Sequence, residues 1–246
     1  MSFERTGPSI PAEPGPPGSA TDMTSAETIP PALRLQILST EHWSLLATRS
    51  LVWNEVFGRA GMFLSALSGA IVALALVGQG TGFGESFTQF AIVILPVVLF
   101  LGIATFIRLG ASLYHDAQCV IGMNRIRAAY LELAPDLARY FVMSAHDDAR
   151  GVGVTMGFPP GHIPLLHLLA ATPAIVSVVN AVIVGALVGL VSMEFSLAPS
   201  TALVLSIMGF VAAFLAHATY GRAAVARAQA RVRPLFPSPP EADGAG

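Results

Sequence analysis

His146, Asp147 and Asp148 form the densest group of ionisable side chains in the sequence. An imidazole and two carboxylates are ligands a divalent cation accepts. Consecutive residues point in different directions, so three neighbours do not close a coordination shell by themselves. His115 with Asp116, and His162 with His167, are the residues available to complete one. A solvated acidic loop is the simpler expectation, and the metal reading is a weak candidate. No cofactor is expected.

The other residues with chemical potential are scattered. Asn180 falls inside a long apolar stretch, where a polar side chain is either functional or bonded to another helix. Gly151, Gly153 and Gly157 punctuate the run Gly-Val-Gly-Val-Thr-Met-Gly. It has neither dinucleotide-binding nor P-loop spacing and no Lys, so a flexible linker is expected. The single Cys119 permits no internal disulfide and reads as a small apolar residue on a helix face. No pair of histidines has the His-Glu-x-x-His spacing of a metal enzyme. The chain is not expected to be an enzyme.

The elements that position these residues are set by composition. Of 246 residues, 54% are hydrophobic and 11% charged. A soluble domain carries about 25% charged residues, so much of this surface is expected to face lipid. Crossing about 30 Å of hydrocarbon takes about 20 apolar residues in a helix. Four stretches qualify, near Ala60–Gln79, Thr88–Ser112, Leu165–Ser192 and Ala198–Tyr220. Lipid leaves no partner for open backbone groups, so each stretch must be helical.

All 13 basic residues are Arg, and the abundance of Ala, Gly and Pro suggests a GC-rich bacterial source. Their placement orients the spans. The connections near 80–87 and 193–197 contain no Arg, whereas every Arg lies on the opposite side of a four-span reading. Arg108, at the inner end of span two, is placed to snorkel to the interface. The positive-inside rule makes the Arg side cytoplasmic. The expected fold is an all-α integral membrane protein of four transmembrane helices. It forms two in-out-in hairpins in the plasma membrane, with both termini in the cytoplasm.

Cytoplasmic helical extensions are expected before span one and after span two. In the first, residues 33–59, Ser39 or Thr40 is placed to cap a helix. Trp43, Leu46, Ser50, Trp53 and Phe57 then share one face. In the second, within 113–164, Cys119, Met123, Ile126, Tyr130 and Leu133 share another, Pro135 breaks the helix, and 144–164 is a loop. Residues 1–32 and 234–246 are rich in Pro and polar groups and are expected to be disordered. Pro96 and Pro173 are expected to kink spans two and three.

Small residues recur at Gly61, Ser65 and Gly69 in span one, and at Gly185 and Gly189 in span three. Such faces let helices approach closely, within one chain or between chains. The expected partners are the lipid bilayer and a second copy of the chain or another membrane protein. The net charge of -2 and the absence of a basic stripe set nucleic acid aside. An oligomeric channel or transporter subunit is the alternative.

Overall fold

The computed structural model describes residues 29–158 and 172–240. Among the described residues there are five α-helices in chain order. They are α1 (Pro31–Thr81), α2 (Glu85–Leu133), α3 (Ala149–Thr155), α4 (Thr172–Glu194) and α5 (Pro199–Arg231). A 3-10 turn, Pro135–Tyr140, follows α2 directly after the predicted break at Pro135. Among the described residues there is no strand. Helices α1, α2, α4 and α5 are each long and apolar enough to cross a membrane.

The predicted extension and span one are one continuous helix of 51 residues, and span two runs without interruption into its own extension for 49. Pro31 takes the first position of α1, where a missing N–H costs nothing. The predicted Ser39 or Thr40 cap is therefore corrected. Thr40 lies mid-helix, and its hydroxyl donates to the Gln36 carbonyl at 2.9 Å. Such back-bonding satisfies the side chain without ending the helix. α2 also continues through Pro96 as helix, and Pro173 stands at the second described residue of α4.

A three-residue turn folds α2 back along α1. Gly82 takes the left-handed conformation, φ 65°, that closes the helix through its N–H on the Gly78 carbonyl. Phe83 then lays its ring over Gly78, which has no side chain to obstruct it. A second tight connection, with Ser196 at φ 56°, joins α4 to α5.

Among the described residues the packing is an open row rather than a closed bundle. α1 packs chiefly on α2, α2 also on α4, and α4 on α5. The core accordingly centres on α2. Val56, Phe63 and Ala70 of α1 and Val176 and Ile183 of α4 meet Ala91, Leu95, Val98, Phe106 and Leu109 of α2. α5 stands at the edge, with 6% of its most apolar stretch buried against 33% in α4. In water, so much exposed Leu, Ile, Val and Phe would be an aggregation surface; in lipid it is an ordinary exterior.

Candidate functional site

Two buried polar systems stand out, one between the spans and one where α1 and α2 extend beyond them. Between the spans, Asn180 has no exposed surface. Its Nδ2 lies 3.3 Å from His217 Nε2 of α5. The other ring nitrogen, Nδ1, is 2.8 Å from the Ala213 carbonyl, which can only accept. Nδ1 therefore carries the proton, and Nε2 accepts from Asn180. Asn180 Oδ1 is left without a hydrogen-bond partner. It rests on α2 at Gly102, in the space a β-carbon would fill, beside the Phe63 ring. Phe106 closes the pair from one side, its ring edge-on to His217 with centroids 4.7 Å apart.

The sequence singled out Asn180 but not His217. Asn180 lies 16 positions before Ser196 and His217 21 after it, so the connection alone does not place the two in register.

The second system begins where α1 and α2 leave their most apolar stretches. Glu55 of α1 accepts from Arg108 of α2 at 2.8 Å and from Arg59, one helical turn along, at 2.9 Å. The hydrogen bonds from Arg108 and Arg59 hold its carboxyl down at about 2. Arg108 thus meets a carboxylate rather than only snorkelling. Further along, Asp116 is buried and accepts from Arg49 Nε at 2.7 Å and Trp53 Nε1 at 3.1 Å. Of the predicted aromatic face, Trp53 packs on the core, whereas Trp43 and Phe57 are exposed. The other predicted face packs in part: Cys119, Met123 and Ile126 are buried, Tyr130 is half-buried and Leu133 is exposed. Burial, and then the Asp116 charge, raise the Cys119 thiol above its ordinary range.

Asn124, about two turns beyond Asp116 on α2, is wholly buried and ties three segments together. Its Nδ2 donates to the His146 carbonyl at 2.7 Å, and its Oδ1 accepts from Thr155 at 2.9 Å and Arg127 at 2.7 Å. Thr155 belongs to α3, which forms where a flexible glycine linker was expected. The correction has a local cause. Asp148 caps α3 by accepting from the Gly151 N–H at 2.8 Å. Gly151 is buried against the His146 backbone, where no side chain fits.

The His146, Asp147 and Asp148 cluster is not a solvated loop. Asp147 is fully buried. Its carboxylate accepts from Arg125 Nε at 2.7 Å and from the Leu235 and Phe236 N–H groups at 2.9 and 2.8 Å. Its own N–H donates to the Phe236 carbonyl at 3.1 Å. Asp148 accepts from the N–H and the hydroxyl of Ser238, both at 2.9 Å. Arg125 also donates to the Arg233 carbonyl at 3.1 Å. The segment from Arg233 to Ser238, of which 234–238 was expected to be disordered, is thus a strap docked on the loop. Its composition offers little apolar surface, but its N–H groups meet two carboxylates fixed in place.

These oxygens are occupied by donors and leave little lone-pair capacity for a cation. Among the described residues, no group of three His, Cys, Asp or Glu side chains gathers to hold a metal. His162 and His167, with the start of span three at 165–171, lie outside the described residues, as do 1–28 and 241–246. His146 instead lines an open cavity of about 280 Å³ with Ala128, Leu131, Glu132, Ala145 and Phe236.

Burial pushes both carboxyls up. At Asp147 the Leu235 and Phe236 N–H groups and then Arg125 outweigh it, and at Asp148 the Gly151 N–H and then the N–H and hydroxyl of Ser238, which leaves both below the ordinary range. A free Asp titrates near ~3.9. The docking contribution is therefore complete above that value and is lost as pH falls through the lower docked values. The strap should stay docked at neutral pH and detach only in strong acid. A spin label at Leu235→Cys, in a Cys119→Ala background, should gain mobility below about pH 3.9. Release between pH 5 and 8 would contradict the assignment.

The two small-residue faces have different fates. Gly185 and Gly189 of α4 face Ser206 of α5, and Phe210 also packs on Gly185; both glycines are consumed inside the chain. The Ser206 hydroxyl donates to the Gly185 carbonyl at 2.7 Å. Gly61, Ser65 and Gly69 of α1 are exposed, and a β-carbon added at either glycine would touch nothing. No family model matches the chain, and no curated protein or solved structure matches it either.

Proposed function

We propose that this chain is a non-enzymatic, multi-pass protein of a bacterial plasma membrane that associates with a second copy of itself through α1. Its Arg-rich end, with both termini, faces the cytoplasm and presents the extended parts of α1 and α2 as a helical module. The open face of Gly61, Ser65 and Gly69 carries this reading. A glycine face within lipid gives no packing energy until another helix approaches it. In α4 the equivalent face is already covered by α5. Two copies of α1 crossing at these residues would approach closely, with Arg segregation setting a common orientation in the membrane.

Oxidative crosslinking of Ser65→Cys in native membranes tests it. The native Cys119 is buried and serves as the silent background. A disulfide dimer is expected from Ser65→Cys and not from Val93→Cys, which lies on an exposed face of α2. Monomer alone, or equal dimer from both, would overturn the proposal.

A second reading, an oligomeric channel or transporter subunit, is favoured by the Asn180 and His217 pair. Polar groups inside a membrane mark ion or substrate paths. Flux in proteoliposomes should then fall in Asn180→Leu, and unchanged flux removes the pair from that reading.

A further inference from the structure

Arg127 sits half-buried on α2 among the groups that tie the module together, yet among the described residues it has no carboxylate partner. The four ion pairs among the described residues use Arg49, Arg59, Arg108 and Arg125. Arg127 makes one bond, from Nη1 to the neutral Oδ1 of Asn124 at 2.7 Å. A guanidinium carries five N–H donors, so most of its capacity is unspent.

Its surroundings add positive charge rather than cancel it. Burial, and then the charge of Arg49, act against the protonated form of Arg127. Arg49 is itself committed to Asp116 through two nitrogens. On the facing side of α1, His42 has a buried ring nitrogen, Nδ1, with no hydrogen-bond partner. Burial, and then the charge of Arg127, hold the His42 imidazole below its ordinary range. The Tyr130 ring packs beside His42, with centroids 6.4 Å apart. A partly desolvated cation without a counter-charge is costly, and a protein normally pairs it.

Asn124 makes this arrangement a built one. Its amide is locked by Thr155 and the His146 carbonyl, so the oxygen holding Arg127 is fixed by two other segments. This anchor restrains the guanidinium before any ligand arrives, which lowers the ordering cost of binding.

We propose that Arg127 and His42 form a binding site for a phosphate-class oxyanion between the extended parts of α1 and α2. The anion supplies the missing negative charge and accepts from the free guanidinium N–H groups. It also accepts from His42, whose orphaned nitrogen becomes a donor. Arginine is suited to this role because its planar fork matches two phosphate oxygens at once. From Ser112 to Arg127 is about 22 Å of helix, beyond the reach of a headgroup at the end of an upright span. A soluble phosphate or phosphate ester therefore fits better than a lipid.

The test uses the full chain in neutral detergent, with the His42 ring titrated by NMR and assigned through His42→Gln. Inorganic phosphate, compared with chloride at equal ionic strength, should move the His42 midpoint upward. The shift should vanish in Arg127→Gln, which keeps an N–H for Asn124. Unfolding of that variant would show as loss of dispersion, and the wild-type titration stands without it. In a second arm the chain is placed in nanodiscs with and without phosphatidylglycerol, free of phosphate. A shift with either probe keeps the oxyanion site and names its source. No shift with either overturns it.

Discussion

Gly102→Ala should destabilise the protein in detergent by about 1–3 kcal/mol, the usual cost of forcing a methyl group into a packed site. The added carbon meets Asn180 Oδ1 and the Phe63 ring at once. Neither moves freely. Asn180 is held by His217, and Phe63 is 2% exposed within the core. Asn180→Ala alone should cost less, about 1 kcal/mol, because it loses one hydrogen bond between helices. In the double variant the methyl group enters the space the amide vacates. Its cost should fall short of the sum of the two singles by about 1 kcal/mol or more. Chemical unfolding of the four proteins measures the cycle. Strict additivity would mean that Gly102 and Asn180 do not share this space in the folded protein.

The second large effect is expected at Asp147. Replacing it with Ala removes three charge-assisted hydrogen bonds and leaves the Leu235 and Phe236 N–H groups without their acceptor. Breaking such a group costs about 2–3 kcal/mol, at the level of a hydrogen bond to a charged partner, because Arg125 retains access to water. The loss should appear locally rather than as global unfolding, since the strap lies at the edge of the fold. Amide exchange at Leu235 and Phe236 should accelerate by about 30- to 150-fold, with protection in α2 unchanged. Arg125→Gln should have a smaller effect, because both strap N–H groups keep their carboxylate. Unchanged exchange in Asp147→Ala would show that other contacts hold the strap.

Much of the architecture was legible because lipid imposes simple rules. Long apolar stretches had to be helices, and the four candidate spans follow from length and composition alone. The partners of individual residues were harder to read, although one pattern was present. Once the turn is placed near Phe83, residues equally far on either side face each other in antiparallel helices. Arg49 lies 34 positions before Phe83 and Asp116 33 after it; Phe63 and Gly102 lie 20 and 19 away. That register predicts both contacts without coordinates. No comparable rule joins Asp147 to Phe236 or Asn124 to Thr155. Those contacts depend on how an irregular segment folds back, which periodicity does not encode. The strap was misread for a related reason. Low hydrophobicity argues against a core, but this segment is held through its backbone, whose donors are the same in every sequence but proline.

The continuous helices α1 and α2 have a mechanical consequence. They leave the apolar span without a hinge and are tied to each other by Glu55 with Arg108 and by Arg49 with Asp116. Such a paired strut is a lever with its fulcrum at the membrane surface. His42 lies about 27 Å along α1 from Ala60, so a tilt of about 5° displaces it by about 2 Å. Helices tilt to match bilayer thickness. A change in lipid composition would thus be converted into motion at the far end of the strut, where His42 and Arg127 lie.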